Sequence, residues 1–208
     1  PIIFNSSVVN VDIQDVVVSS AGATSFITST GNGITIVNCN TPCTASIASA
    51  NVSIIESVFT DVVIENNSSN VSIIACNCRT ISTSVAAGTE PRGVVIENNT
   101  VTPTGALVGI TIGNGDGAVK DAQSFNKNTV FGGTLYGISI AADGGTIIEG
   151  NTLRDNTGPG ILIDGSKTDE LVVKGNIVKG THTFGLSLPL VISEYIIDGN
   201  RLTGSIEN

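Results

Sequence analysis

The feature that most constrains this chain is a segment repeated three times near the carboxyl end of the sequence. The copies read TIIEGNTL, LVVKGNIV and YIIDGNRL, and their asparagines, Asn151, Asn176 and Asn200, are 25 and 24 residues apart. A period in this range is typical of stacked-repeat proteins, in which each repeat packs only against its neighbours. The fold is therefore expected to be a column of similar repeats.

The same register extends back to residue 34. Alignment on the repeated asparagine places eight residues at this position: Asn40, Val58, Asn77, Asn99, Asn128, Asn151, Asn176 and Asn200. The residue three positions earlier is apolar in every copy, and the residue two positions earlier is mostly polar. This alternation predicts a strand with one buried and one exposed face. In this alignment Val37, Ile55 and Ile74 are expected to point inward, and Val58 interrupts the asparagine series.

A column of glycines supports the same period. Gly109, Gly137, Gly160 and Gly185 each precede an apolar-x-apolar triplet, and they are separated by 28, 23 and 25 residues. Each period then holds about three short strands separated by turns. Such short strands pair with their equivalents in the next period, which predicts parallel sheets wound into a coil.

The first part of the chain follows the repeat less clearly. Residues 1–33 contain β-type runs in a weak register, whereas residues 34–205 carry the regular coils, and we expect one domain over residues 1–208. The sequence begins without a methionine or a signal-like segment. We expect it to be a fragment of a longer chain.

Composition and charge exclude some functions. The chain has 208 residues, of which 40% are hydrophobic, and it has no Trp or Met, so its interior must be built from small β-branched side chains. A net charge of −9 with only nine Lys and Arg residues argues against nucleic acid or an anionic membrane as a partner. No apolar run reaches the length of a membrane span.

The repeated segments and the GI-x-I triplets resemble the coils of right-handed parallel β-helix proteins, a superfamily that includes pectate lyases, polygalacturonases and bacteriophage tailspikes. The resemblance implies an all-β fold, a single-stranded right-handed parallel β-helix (β-solenoid) of about nine coils. It also implies a ladder of stacked asparagine side chains inside a turn. The ladder would contain Asn40, Asn77, Asn99, Asn128, Asn151, Asn176 and Asn200. Asparagine suits this role because it tolerates the left-handed conformation and its amide both donates and accepts.

The cysteines and the single histidine indicate no metal centre. Cys39 and Cys43 could bridge across a turn, although buried free thiols are the favoured interpretation for these and for Cys76 and Cys78. His182 is isolated, and no Cys/His metal spacing is present. We expect no cofactor.

Carboxylates are the main candidates for chemistry. Asp116, Asp143 and Asp164 follow the GITI, GISI and GILI strands of three consecutive coils. Carboxylates stacked ~4.8 or ~9.6 Å apart suit retaining or inverting glycoside hydrolysis, in which one acts as general acid and another as nucleophile or base. The offsets from the preceding glycine are seven, six and four residues, so the register is open. The same oxygens could hold Ca²⁺, although the spacing does not require it.

A second charged column is expected to serve solubility. It contains Glu97, Asn126, Glu149, Lys174 and Asp198, with Lys174 between two carboxylates. A lyase mechanism needs cations or Ca²⁺ to neutralise a uronate. Arg79, Arg92, Arg154 and Arg201 are not expected to cluster with lysines by column, which disfavours a lyase.

The resemblance is closest to tailspike and tail-fibre segments. It implies a β-helix that binds or depolymerises a bacterial surface or other extracellular polysaccharide, located on a virion or outside the cell, in a parent protein that is a homotrimer. Whether the chain is an enzyme is left open, with a glycoside hydrolase favoured over a polysaccharide lyase. One alternative is a non-catalytic structural shaft or interaction module. Another is a secreted enzyme similar to pectate lyases or polygalacturonases.

Overall fold

The computed structural model describes residues 2–4, 9–18, 25–29, 32–65, 68–84, 91–105, 107–113, 123–132, 135–141, 145–163, 170–180, 182–188 and 194–207. These residues form 25 strands in three sheets. The described part contains no helix, and hence none long and apolar enough to span a membrane.

All strand pairs in the three sheets are parallel, and each strand pairs with its equivalent in the neighbouring coil. The first sheet comprises Ile2–Phe4, Ser25–Ser29, Thr44–Ile47, Asp61–Glu65, Thr80–Ser84, Ile110–Ile112, Ile138–Ile140, Ile161–Ile163, Phe184–Ser187 and Ser205–Glu207. The second sheet comprises Val9–Gln14, Asn32–Val37, Ala50–Ile55, Ser69–Ile74, Arg92–Glu97, Gln123–Asn126, Thr146–Glu149, Leu171–Lys174 and Tyr195–Asp198. The third sheet comprises Asn77–Cys78, Thr100–Val101, Thr129–Phe131, Thr152–Arg154, Ile177–Lys179 and Arg201–Leu202.

Each coil runs from the second sheet through the third to the first. The third sheet has six strands, so six coils carry all three strands. In the three coils before them, the third side is reduced to isolated bridges that join Val17, Asn40, Val58 and Asn77. The predicted fold class, an all-β parallel β-helix, is confirmed. The expected count of nine matches the strands of the second sheet but exceeds the number of coils with three strands.

One turn conformation recurs between the second and third sheets. Nine residues at equivalent positions in this turn have positive φ values, all between 50° and 66°: Asp15, Asn38, Glu56, Ala75, Asn98, Lys127, Gly150, Gly175 and Gly199. The left-handed residue therefore stands immediately before the ladder position. This corrects the expectation that the ladder asparagine itself adopts this conformation.

The predicted register is wrong by one residue in the three coils that contain Val37, Ile55 and Ile74. Ile74 pairs with Glu97, and Ile73 pairs with Ile96. Val37, Ile55 and Ile74 are consequently half-buried on the outer face, while their predecessors Ile36, Ile54 and Ile73 fill the core. Each of these strands ends in two adjacent aliphatic residues, so the hydrophobic pattern fits both registers. A slip of one residue exchanges the two faces of a strand.

The same slip corrects two members of the predicted ladder. Asn40 and Asn77 are exposed on the third side of the coil, where Asn77 pairs with Thr100 rather than with Asn99. The position equivalent to Asn99 is occupied by Cys39, Ser57 and Cys76, which are buried. Ser57 therefore takes the place assigned to Val58, and Val58 is 40% exposed.

The glycine column marks a close approach between the first and third sheets. A Cβ atom on Gly160 would lie 2.4 Å from Cγ1 of Val178, and one on Gly109 would lie 2.4 Å from Cγ1 of Val130. Val130 and Val178 are fully buried in the core. A side chain at these positions would displace the core side chains of the third sheet.

Candidate functional site

The three candidate catalytic aspartates, Asp116, Asp143 and Asp164, lie outside the described residues. The strands that precede them are described. Ile112, Ile140 and Ile163 are the last residues of three neighbouring strands of the first sheet, and they are in register. The aspartates therefore belong to the same connection, from the first sheet to the second, in three successive coils. They follow those isoleucines by four, three and one positions. Their role as a catalytic group stays a prediction.

The ladder asparagines of the later coils form a continuous hydrogen-bonded stack. Asn151 Oδ1 accepts from the backbone N–H of Asn128 at 2.9 Å and from Asn128 Nδ2 at 3.0 Å. Its own Nδ2 donates to Phe125 O at 2.8 Å and to Asn176 Oδ1 at 2.9 Å. Asn99, Asn128, Asn151 and Asn176 are buried, and Asn200 is half-buried. Because these amides bond along the helix axis inside the coil, they are structural and do not face a ligand.

Cysteine thiols take part of this role in the earlier coils. Cys76 Sγ donates to Ile54 O at 3.5 Å and to Ile74 O at 3.3 Å, and the Cys76 backbone N–H donates to Asn99 Oδ1 at 2.8 Å. All four cysteines are free and buried. Burial raises the pKa of Cys76 to about 11 and raises the pKa of Cys78 even further. The thiols of Cys76 and Cys78 are therefore protonated at neutral pH.

The charged column of the second sheet is in register. Glu149 pairs with Lys174, and Lys174 pairs with Asp198. All three side chains are exposed. Over the described ranges, however, the only ion pair within 4.0 Å joins Arg79 and Asp61. The column therefore places charges near one another without forming a salt-bridged ladder.

A shallow depression lies farther along the second sheet, in its last two coils. It is lined by Glu170, Leu171, Val172, Glu194, Tyr195 and Ile196. The two carboxylates make it acidic, and none of these six described lining residues is basic. It is suited to an apolar or cationic group rather than to an anion.

The outer face of the third sheet carries a row of polar side chains. Asn77 pairs with Thr100, Thr100 with Thr129, and Thr129 with Thr152. Asn77, Thr100 and Thr129 are exposed and Thr152 is half-buried. Since neighbouring coils are ~4.8 Å apart, this polar row presents one hydroxyl or amide group at each step along the axis.

A second row on this face combines an aromatic residue with two cations. Phe131 pairs with Arg154, and Arg154 pairs with Lys179. All three side chains are exposed, Phe131 by 50%. We name these three residues the basic-aromatic row. The expectation that arginines and lysines do not share a column is wrong for Arg154 and Lys179.

The basic-aromatic row has a signal in the sequence that the alignment could have revealed. Its members stand three positions after the ladder residues Asn128, Asn151 and Asn176. Alignment of the repeats at this position places Arg154 next to Lys179.

An arginine in an earlier coil has a different environment. Arg79 follows Cys78 at the end of its third-sheet strand. Its Nε donates to Asp61 Oδ1 at 3.0 Å, its second guanidinium contact is to Asp61 Oδ2, and Thr80 Oγ1 donates to Asp61 Oδ1 at 2.7 Å. The hydrogen bond to Asp61 raises the pKa of Arg79. This cation is neutralised within the protein.

Comparison with known proteins places the chain in a family. Residues 14–208 match the family model described as periplasmic copper-binding protein (NosD). The chain belongs to the NosD family. No curated protein matches it significantly. A structure titled as that of the Streptococcus pneumoniae surface protein and adhesin PfbA is similar at 14% identity, with a TM-score of 0.44, over 86% of this chain and 67% of that chain.

Within the described ranges, the side chains of this NosD-family member do not fit a copper centre. The sequence has no Met and one His, so its soft ligands are the four cysteines and His182. The cysteine thiols are buried, and Cys39 and Cys76 point their sulfur atoms at backbone carbonyls. His182 Nε2 is 2.8 Å from Lys179 O. No cluster of three or more His, Cys, Asp or Glu side chains with metal-binding geometry occurs in the described part of the chain.

Proposed function

We propose that this chain is a β-helical binding module for extracellular polysaccharide, and that the outer face of its third sheet holds the polymer. The observation that carries the proposal is the exposed basic-aromatic row beside the polar row on one face. The description of the matched family as periplasmic is consistent with a location outside the cytoplasm.

The geometry of the face suits an extended glycan. The polar row repeats hydroxyl groups in register over successive coils, and hydroxyl groups both donate to and accept from sugar hydroxyls. Phe131 is half exposed and offers a flat apolar surface beside this row. A rigid sheet presents these groups without first ordering a loop, which reduces the entropic cost of binding.

Affinity electrophoresis or calorimetry tests this function by measuring binding to a panel of soluble polysaccharides. Phe131→Ala should weaken binding about fivefold or more, since a contact of about 1 kcal/mol is lost. Ile196→Ala is the matched control, because Ile196 is 57% exposed on the outer face of the second sheet. Equal losses in the two variants, or no binding by the wild-type chain to any polysaccharide, would contradict the proposal.

Hydrolysis of the bound polymer is a second candidate, favoured by the position of Asp116, Asp143 and Asp164 in one connection of three successive coils. One would act as general acid and another as nucleophile or base. Release of reducing ends by the wild-type chain and its loss in Asp143→Asn and Asp164→Asn, with unchanged binding, is the expected result. Binding without release of reducing ends leaves the non-catalytic module.

The proposal also covers the assembly of the parent protein. Tailspike-like proteins present such β-helices as homotrimers, and we propose the same assembly for the parent chain. Sedimentation of the full-length parent as a monomer would contradict it.

A purely structural shaft would show neither glycan binding nor any effect of Phe131→Ala.

A further inference from the structure

We infer that the basic-aromatic row, Phe131, Arg154 and Lys179, selects an anionic glycan that bears carboxylate or sulfate groups. The inference rests on the proposed polysaccharide-binding function and adds the chemical class of the ligand. It is carried by the position, the pairing and the charge of these three side chains.

Arg154 and Lys179 stand side by side on neighbouring strands. Like charges at paired positions destabilise a sheet. The chain has only nine basic residues and a net charge of −9, yet two of the nine occupy adjacent positions in one row. A bound anion between them would relieve this repulsion and gain charge-assisted hydrogen bonds.

Both cations are available to a ligand. Neither forms an ion pair within 4.0 Å with any carboxylate of the described ranges, in contrast to Arg79, which is held by Asp61. The nearest acidic residue along the chain is Asp155, directly after Arg154. Its Oδ1 lies against the backbone of Gly180, 2.7 Å from where a Cβ atom would stand on that glycine. Asp155 therefore turns toward the next coil rather than toward a guanidinium or ammonium group.

The neighbouring aromatic group favours a glycan over a bare inorganic anion. Phe131 is paired with Arg154 and exposed, so a sugar ring over Phe131 places its substituents beside the guanidinium group. The polar row continues on the same face through Thr129 and Thr152. A polymer thus meets an apolar surface, two cations and hydroxyl groups together.

The test uses polymers with one backbone and different charges: dextran, carboxymethyl dextran and dextran sulfate. The wild-type chain should bind the charged polymers more tightly than dextran, and added salt should reduce this preference because it screens exposed charges. The double variant Arg154→Gln/Lys179→Gln should lose about tenfold in affinity for the charged polymers, on the order of two exposed ion pairs. Binding of dextran should change little.

The matched control is Arg92→Gln/Lys174→Gln, which removes the same charge from two exposed positions of the second sheet. It should retain the preference. Asp155→Asn should strengthen binding of the charged polymers, since it removes the negative charge directly after Arg154 and asparagine tolerates the left-handed conformation at φ 56°. Unchanged thermal melting of each variant shows that the coil is intact.

The outcomes separate this inference from the function on which it rests. Equal binding of the charged and neutral dextrans, or equal losses in the two double variants, would overturn the anion assignment and leave polysaccharide binding standing. Absence of binding to all three polymers and to the wider panel would overturn both. If single-stranded DNA of equal length binds as tightly as dextran sulfate, the ligand is a polyanion in general and the glycan assignment fails. Preference for carboxymethyl dextran or for dextran sulfate identifies the anionic group.

Discussion

The earlier and later coils of this β-helix build the same turn from different side chains. The residue before the ladder position is left-handed in all nine coils. In the later coils the ladder position is an asparagine that donates and accepts, whereas in the earlier coils it is Val16, Cys39, Ser57 or Cys76. The backbone path therefore does not depend on the asparagine. The amide stack adds stability to a turn that core packing already specifies.

The outer surfaces of the two regions differ in a parallel way. Arg79 in an earlier coil is paired with Asp61, while Arg154 in a later coil stands beside Lys179 without a carboxylate partner in the described ranges. The earlier pair stabilises the protein itself. The later, unpaired cations are available to a ligand. Four predictions test this comparison, beginning with the largest expected effect.

Loss of a ladder amide should lower the free energy of unfolding more than any other change. Asn151→Ala removes four hydrogen bonds and takes away the side-chain acceptor of the buried backbone N–H of Asn128, which should lower the free energy of unfolding by about 3 kcal/mol or more. Cys76→Ala removes only weak sulfur contacts and should cost about 1 kcal/mol. Urea denaturation of both variants measures the difference. Equal losses would mean that the two kinds of ladder are energetically equivalent.

A methyl group in the glycine column should lower the free energy of unfolding somewhat less than loss of the ladder amide does. The new Cβ of Gly160→Ala would lie 2.4 Å from Val178 Cγ1, so the core must shift at a cost of about 2–3 kcal/mol. Gly175→Ala has no neighbour within 4 Å but places alanine at φ +62°. Its cost should be about 1 kcal/mol, because Ala75 already occupies the equivalent turn at φ 55° in an earlier coil. A larger loss for Gly175→Ala would contradict this account.

Alkaline pH should weaken the earlier coils through Cys76. The thiol has its ordinary pKa of 9.0 in the unfolded chain, and burial raises this pKa to about 11 in the folded chain. Its contribution to stability is therefore full below pH 9 and is lost as the pH rises from 9 to 11, by roughly 2–3 kcal/mol. The wild-type chain and Cys76→Ala should show different losses over this range in urea denaturation. Parallel curves would show that the thiol does not titrate in this way.

Substitution of the two arginines, Arg79 and Arg154, should give the smallest changes in the free energy of unfolding. Arg79→Gln breaks the contact with Asp61 and should lower stability by about 1 kcal/mol at most, since the guanidinium is partly exposed. Arg154→Gln should leave stability unchanged or raise it by a few tenths of a kcal/mol, because repulsion with Lys179 is relieved. Thermal melting at low ionic strength measures both. A loss in Arg154→Gln that matches the loss in Arg79→Gln would assign Arg154 a structural role.

The fold could be predicted from the sequence because the repeat imposes its period on every coil. The later ladder residues, from Asn99 to Asn200, stand in one column because the strand before each of them ends in an inward apolar residue followed by a polar one. The earlier coils could not be aligned by the same rule. Ile54–Ile55 and Ile73–Ile74 fit both registers. Asn40 and Asn77 stand one position after the true ladder residues, so the sequence pattern assigns them to the ladder.

The candidate site was less accessible to sequence reasoning for a physical reason. A binding face on a β-helix is made of outward residues that come from different coils, and their pairing depends on the strand register. Phe131, Arg154 and Lys179 become neighbours only once the third sheet is aligned. Asp116, Asp143 and Asp164 follow their strands at unequal distances, so neither period nor register assigns their separation.

The most direct test of the central claim is residue-level mapping of the bound polymer by NMR. Backbone amide shifts of the isotopically labelled chain would be followed during titration with short oligosaccharides of carboxymethyl dextran. The account predicts that the shifts concentrate at Thr129–Phe131, Thr152–Arg154 and Ile177–Lys179, with little change around Arg79 or on the second sheet. Shifts that concentrate instead around Glu170 and Tyr195, or at Asp116, Asp143 and Asp164, would contradict it.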